Sequence, residues 1–217
     1  MSGTGTQTLD TPSNVFATMN PLDNLYAGST FSNGNTTIAT GTSEYSSNTG
    51  TLGVSSGKYY WEVEYDSGTN LAHIGIKSKQ DTANSQGTGT QSTDYAYRAF
   101  NGDYFNNATS TSYGNTYTNG DIIGVALDLD NNKLYFAKNG TWQNSGDPTS
   151  GATGTGAISI TDPASTDFGV YVPAMSHQDG SGSGTFKCNF GNGYFGTTAV
   201  STPESDSAGL GKFEYSV

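Results

Sequence analysis

Three acidic residues that alternate along one segment are the best candidates for catalysis in this sequence. Glu62, Glu64 and Asp66 follow Tyr60 at every second position, an arrangement that resembles the catalytic row of some glycan-cleaving enzymes. On an extended strand Glu62 and Asp66 lie ~13 Å apart, and Glu62 and Glu64 ~7 Å apart. A retaining glycosidase needs roughly 5 Å between its carboxyl groups and an inverting one up to about 9.5 Å, so Glu62 and Glu64 could serve an inverting mechanism. We favour the simpler interpretation, a row of solvent-facing acids opposite a buried face.

A second candidate is a calcium loop that begins at Asp128. Oxygen-bearing side chains occupy its first, third and fifth positions, starting with Asp128 and Asp130, as in calcium-binding loops. The sixth position holds Lys133 instead of glycine, and the twelfth holds Asn139 instead of glutamate. We therefore interpret this segment as a strand end followed by a turn, and we predict no metal site and no cofactor.

The single cysteine, Cys188, could act as a nucleophile with His73 or His177 as its base. Cys188 lies between Phe186 and Phe190 at alternating positions, which places all three on one inward face. A buried thiol is inert. We predict a structural cysteine and, because no other nucleophile has a base nearby in the pattern, a protein that is not an enzyme.

The elements that carry these residues are predicted to be β-strands. From Tyr59 to Asp66 apolar and acidic residues alternate, the period of a half-buried strand. The same period recurs in five later segments, at residues 72–76, 123–129, 134–136, 168–172 and 186–190. Asn139-Gly140 is a two-residue hairpin signal, because both positions tolerate positive φ, and no segment keeps a 3.6-residue apolar period. The pattern predicts an all-β fold, a two-sheet antiparallel β-sandwich.

Composition limits the classes of partner. The chain has 217 residues with a formal net charge of -11, so it repels phosphate backbones and nucleic acid is an unsuitable partner. No apolar run has the length of a membrane span, which predicts no membrane insertion. The start of the chain lacks the basic and apolar regions of a signal peptide. The 26 aromatic residues (14 Tyr, 10 Phe and 2 Trp) supply a core that disordered chains lack.

Long loops rich in Gly, Ser, Thr and Asn separate the strands and are predicted to carry binding. They span residues 78–94, 102–120, 143–156 and 177–184. Aromatic and arginine side chains contribute much of the binding energy at interfaces. The candidates in or beside the loops are Tyr95, Tyr97, Arg98, Tyr113, Tyr117, Trp142 and His177. The alternative is that several of these side chains only cap the ends of the sandwich.

Several motifs together resemble the SPRY domain family. They are the segments 57–64 (GKYYWEVE), 72–76 (AHIGI), 120–128 (GDIIGVALD), 133–140 (KLYFAKNG), 170–174 (VYVPA) and 189–191 (NFG). Their order and spacing match over about two-thirds of the chain. The resemblance implies a sandwich similar to concanavalin A, with two antiparallel sheets and variable loops that recognise partner proteins.

Segments 9–22 (LDTPSNVFATMNPL) and 192–196 (NGYFG) resemble virion proteins of tailed bacteriophages that carry a SPRY-like domain. This implies a non-enzymatic virion structural protein, a capsid decoration or fibre component that is assembled in the host cytoplasm. Its partners would be other virion proteins and a host surface protein or glycan, in a homo-oligomer or symmetric array. The alternatives are a cellular-type SPRY module that recognises a peptide, and a glycan-binding or glycan-hydrolysing sandwich.

The sequence predicts three regions along the chain. Residues 1–20 are polar and are expected to form an extended arm for assembly. Residues 21–196 form the sandwich, and residues 197–217 form an irregular tail.

Overall fold

The computed structural model describes residues 15–23, 28–41, 45–83, 85–178 and 182–216. Within these ranges the chain forms short and medium β-strands and three 3-10 turns, at Gln143–Ser145, Gly151–Thr153 and Pro163–Ser165. The strands, numbered in chain order, are β1 (Thr30–Ser32), β2 (Thr37–Ala39), β3 (Ser46–Thr49), β4 (Lys58–Gly68), β5 (Ala72–Lys77), β6 (Tyr95–Arg98), β7 (Asp103–Asn106), β8 (Thr109–Ser112), β9 (Ile122–Asp128), β10 (Lys133–Lys138), β11 (Thr141–Trp142), β12 (Ile158–Ser159), β13 (Val172–His177), β14 (Gly184–Asn189), β15 (Tyr194–Phe195), β16 (Thr198–Ala199), β17 (Glu204–Ser205) and β18 (Lys212–Phe213). Among the described residues, none of the helical segments could span a bilayer.

Two antiparallel sheets form the sandwich, which confirms the predicted fold class. Sheet 1 has the order β1-β2-β14-β4-β9-β10-β11, with β12 also paired to β10. Sheet 2 has the order β3-β13-β5-β6-β7-β8. Their inner faces meet in one apolar core, to which sheet 1 contributes residues such as Val63 and Val125 and sheet 2 residues such as Ile74 and Ile76.

The alternation in β4 correctly predicts the side chains of the inner face. On the outer face the prediction is only partly correct. Trp61, Val63 and Tyr65 are buried in the core. On the outer face Glu62 is also fully buried, so the prediction of a solvent-facing acid is wrong at this position. The cause is a distant segment, because the backbone around Tyr215 lies over the outer face of sheet 1 and donates hydrogen bonds to Glu62.

The predicted turns are present where the sequence places them. Asn139 and Gly140 have φ values of 47° and 76°, and they connect β10 to β11 directly, since Lys138 pairs with Thr141. The positive φ at both turn residues is the conformation that asparagine and glycine tolerate best. Residues 129–132 likewise turn the chain between β9 and β10.

The regions outside the strands of the sandwich contribute to its packing. Of the predicted arm, residues 1–14 lie outside the described residues. Met19 is fully buried and forms a bridge with Gly50, so it belongs to the core. In the predicted tail, β17 pairs with β18 and Phe213 is buried. Residues 204–215 therefore pack as a structured hairpin region on sheet 1.

Candidate binding surface around Arg98

Four of the predicted binding residues lie between the sheets. Tyr95, Tyr97, Tyr113 and Tyr117 are all members of the apolar core. The Tyr97 ring stacks on Phe136 with centroids 5.4 Å apart. These four side chains therefore fit the alternative stated for the loop aromatics, that they close the sandwich and do not bind a partner. Their rings are buried in the core.

Hydrogen bonds to backbone groups explain how these tyrosines can be buried: Tyr97 and Tyr117 donate to carbonyl oxygens, and Tyr113 and Tyr95 accept from backbone N–H groups. The Tyr117 hydroxyl donates to the carbonyl oxygens of Ala72 and Tyr97, at 3.0 and 2.9 Å. Burial raises the pKa of Tyr113 to about 12, so its hydroxyl stays protonated and neutral. A satisfied hydroxyl removes the main cost of burying tyrosine. The residue type alone therefore does not separate a core tyrosine from a binding tyrosine.

Trp142 lies in the other sheet from Arg98, and His177 lies in sheet 2 on β13, two strands from Arg98. Trp142 is half-buried on the outer face of sheet 1, where its ring meets Tyr60 edge-on with centroids 6.3 Å apart. His177 is buried at the end of β13, with Nε2 2.9 Å from Thr69 Oγ1. Residues 179–181 of the loop that follows lie outside the described residues. A binding role for these two side chains remains a prediction.

Arg98 lies on the outer face of sheet 2, between two phenylalanines. Its guanidinium carbon is 4.6 Å from the ring centroid of Phe100 and 4.6 Å from that of Phe105. Nη1 donates to Ser110 Oγ at 2.7 Å, and Nη2 donates to Gln178 Oε1 at 2.9 Å. The side chain is therefore fixed by stacking and by two hydrogen bonds, with 9% of the residue exposed.

Arg98 is the only arginine of the chain, and within the described residues it forms no ion pair. Its Nε is buried without a hydrogen-bond acceptor. Burial lowers the pKa of Arg98, but an arginine keeps its charge at neutral pH. The result is a rigid, largely buried cation at the edge of the Phe100 surface, attracted by Asp103 but without an ion pair among the described residues.

The 78–94 loop supports this surface from one side. His73, which pairs with Arg98 in the register of β5 and β6, has Nδ1 3.0 Å from the carbonyl oxygen of Thr88. The backbone N–H of Thr88 in turn donates to Ser176 Oγ at 2.9 Å. Burial lowers the pKa of His73 to about 4, so it is neutral at physiological pH and adds no charge beside Arg98.

Phe100 gives this surface an accessible apolar side. It is 43% exposed and follows β6, two residues after Arg98. Phe105 lies opposite Ala96 in the pairing of β6 with β7, which places it diagonally beside Arg98. Neither ring is among the predicted binding residues, and Phe105 could be found only by knowing this register.

The acidic row and the cysteine have structural roles. The Glu62 carboxylate accepts hydrogen bonds from the Tyr60 hydroxyl and Asn189 Nδ2, both at 3.1 Å, in addition to the two backbone donors. Lys187 forms ion pairs with Glu64 and Asp66. Cys188 is fully buried, and burial raises the pKa of its thiol. The prediction of a buried thiol is confirmed. The carboxylates of Glu62, Glu64 and Asp66 are engaged in contacts that stabilise the fold.

Asp128 likewise stabilises a turn. Its carboxylate accepts hydrogen bonds from the backbone N–H and the side-chain amide of Asn131, at 3.1 and 2.8 Å, and pairs with Lys58 at 3.1 Å. Within the described ranges no three His, Cys, Asp or Glu residues cluster as metal ligands would.

Comparison with known proteins identifies the domain type. The sequence model of the SPRY domain matches residues 58–193. Ran-binding protein 9 of Danio rerio is 35% identical over 86 residues, which are 39% of this chain and 14% of that protein. The Ran-binding proteins 9/10 homolog of Drosophila melanogaster is 32% identical over 88 residues, 40% of this chain and 9% of that protein. The chain thus spans only a small part of these relatives.

The solved SPRY domain of human HERC1 superposes with a TM-score of 0.59 at 19% identity, covering 78% of this chain and 96% of that one. At this identity the likeness concerns the fold. It agrees with the two-sheet architecture described above.

Proposed function

Because this chain belongs to the SPRY domain family, whose members are protein-interaction modules, we propose that it binds a segment of a partner protein at the Arg98 surface. The observation that supports the proposal is the guanidinium fixed between Phe100 and Phe105 without an ion pair among the described residues. A partner that places a carboxylate or carbonyl oxygen on Arg98 and an apolar side chain on Phe100 would satisfy both groups.

The residue types and the rigidity of the Arg98 surface favour a large binding free energy there. Arginine and aromatic residues are enriched among the side chains that dominate binding energy. Arg98 and Phe105 are already held in place, so little conformational entropy is lost when a partner binds. The chain has a net charge of -11, which repels a partner that is acidic over a large surface. A partner that brings a single acidic or carbonyl group to Arg98 avoids most of this repulsion.

Peptide recognition is preferred here to the virion role. The relatives named above are animal proteins, and they favour the cellular-type alternative. They are named for binding Ran, but the aligned residues cover 14% or less of them, so we take from them the type of module and not the partner. The virion location, the symmetric array and the arm remain predictions from the sequence.

The test uses peptides selected for binding to the purified chain from a displayed random library. Phe100→Ala and Arg98→Gln should each weaken the selected peptides roughly tenfold or more, as measured by fluorescence polarisation. Phe168→Ala is the matched control, because Phe168 is 41% exposed and lies outside this surface. Circular dichroism checks that each variant stays folded.

The selected peptides themselves give a second readout. We expect them to share an acidic or carbonyl-bearing side chain next to an apolar one. Peptides that bind Phe100→Ala and Arg98→Gln as tightly as the original chain would overturn this placement of the binding site.

A further inference from the structure

A groove of about 430 Å³ lies on the outer face of sheet 1, away from the Arg98 surface. It is lined by residues of β4, β9 and β10, by Pro148 and Thr149, and by the C-terminal region 205–216. The Arg98 surface lies on the outer face of the other sheet. The two sites are therefore on opposite sides of the sandwich.

Aromatic rings line much of this groove. Tyr60 and Tyr215 are half-buried and their rings lie against Gly124 and Gly140 respectively, while Tyr135 and Phe213 are buried. The rings of Tyr60 and Phe213 meet edge-on with centroids 5.0 Å apart. Aromatic faces carry partial negative charge, which attracts a cation placed over them.

Glu62 holds one wall of the groove in position. Its carboxylate accepts the backbone N–H groups of Glu214 and Tyr215 at 2.9 and 2.8 Å. These contacts use the backbone of Tyr215 and leave its ring in the groove. The wall is thus fixed before any ligand arrives, which lowers the entropic cost of binding.

The charges of the groove favour a positively charged ligand. Asp128 and Asp206 line it together with a single lysine, Lys58, and Lys58 pairs with Asp128 at 3.1 Å. Asp206 has no such partner among the described residues and is oriented by the backbone N–H groups of residues 208, 210 and 211. The lining therefore carries a net negative charge on a chain whose own charge is -11.

From the rings and the charges together, we infer that this groove binds a lysine or arginine side chain from a basic segment of a partner protein. The cation would contact the faces of Tyr60 and Tyr215 and would be attracted by Asp206. An anionic ligand would be repelled, and a neutral apolar side chain would gain ring contacts without the electrostatic attraction. The inference is independent of the Arg98 surface, which attracts the opposite charge.

The test is a titration of the full chain with short blocked peptides, followed by NMR of the backbone amides. The probes are acetyl-Gly-Ser-Xaa-Ser-Gly-amide with arginine or lysine at Xaa, and the neutral and acidic controls have norleucine or glutamate there. We expect the arginine and lysine peptides to shift the amides around Tyr215, and raising NaCl from 50 to 500 mM to weaken the effect. The norleucine and glutamate peptides should bind at least about fivefold more weakly.

Variants of the groove separate a binding role from a structural one. Tyr215→Ala should weaken the arginine peptide roughly tenfold, whereas Tyr215→Phe keeps the ring and should stay within about twofold. Lys58→Gln removes the only lysine of the lining and should tighten binding roughly threefold, a gain that misfolding cannot produce. Phe100→Ala on the other face should change nothing.

Two outcomes would overturn the inference. One is equal affinity for the norleucine and arginine peptides, which would mean that the groove binds apolar side chains without selecting a positive charge. The other is the absence of shifts around Tyr215 with the cationic peptides at 10 mM. Neither outcome bears on the Arg98 proposal, whose test uses different peptides and different variants.

Discussion

The Glu62 carboxylate accepts a hydrogen bond from the backbone N–H of Tyr215 at 2.8 Å, across 153 positions of the sequence. This contact joins the middle of sheet 1 to the C-terminal region. It explains why an acidic residue on a strand's outer face is fully buried. It also gives Glu62 a structural role, since its oxygens are occupied by donors from Tyr60, Asn189 and two backbone amides.

Glu62→Ala should destabilise the fold by about 2–3 kcal/mol. The change leaves two backbone N–H groups and the Asn189 amide without their acceptor, and hydrogen bonds to a charged group are among the stronger ones. Urea unfolding followed by circular dichroism measures the loss. Glu64→Ala is the matched control on the same face, and its partly exposed ion pair with Lys187 should contribute less than about 1 kcal/mol. Equal losses in the two variants would argue against the anchoring role of Glu62.

Asp94 should make the stability depend on pH. It is fully buried, and burial raises the pKa of its carboxyl to about 7 despite Lys77 at 3.3 Å. Because the folded-state pKa lies above the ordinary value, the contribution of Asp94 is full below about pH 4 and is lost as the pH rises to about 7. Asp94→Asn should therefore show a smaller fall in melting temperature between pH 5 and pH 8 than the original chain.

The control for this pH effect is Asp167→Asn, because Asp167 forms an exposed ion pair with Lys79. That variant should keep the original pH profile. An Asp94→Asn profile that also matches the original would mean that another group carries the pH dependence.

Trp61→Ala should cost ~3–5 kcal/mol, the usual range for truncating a buried aromatic side chain. Trp61 is buried on the inner face of β4, where the surrounding strands leave little freedom to close the cavity. Guanidinium unfolding gives the value. Trp142→Ala removes the same side chain from a half-buried position and should cost clearly less, and a reversed order would contradict the assigned inner face of β4.

Removal of divalent metals should leave the melting temperature unchanged. The Asp128 carboxylate is already engaged by Asn131 and Lys58, so a calcium ion would have to displace these partners. Differential scanning calorimetry with EDTA and with added calcium tests this directly. A drop of several degrees on chelation would show that the turn holds a metal.

Most strands of the sandwich and the β10–β11 hairpin follow from local sequence, although the strand predicted over 168–172 begins only at Val172. The two-residue period of β4 and the Asn139-Gly140 turn depend on backbone conformation and on which side chains prefer one face. Both were predicted correctly, as was the buried thiol of Cys188. The period and the turn need only neighbouring residues, so the sequence alone determined them, and the inward position of Cys188 follows from the alternation of its strand.

The outer faces of the two sheets were decided by tertiary structure. An alternating strand has two faces, but the sequence does not say what covers the second. The 78–94 loop covers His73 beside Arg98, and the region around Tyr215 covers Glu62. Burial of the loop tyrosines likewise depends on backbone carbonyls that only the folded chain brings within reach of Tyr117. Each of these outcomes rests on contacts between residues far apart in sequence, and periodicity carries no information about such contacts.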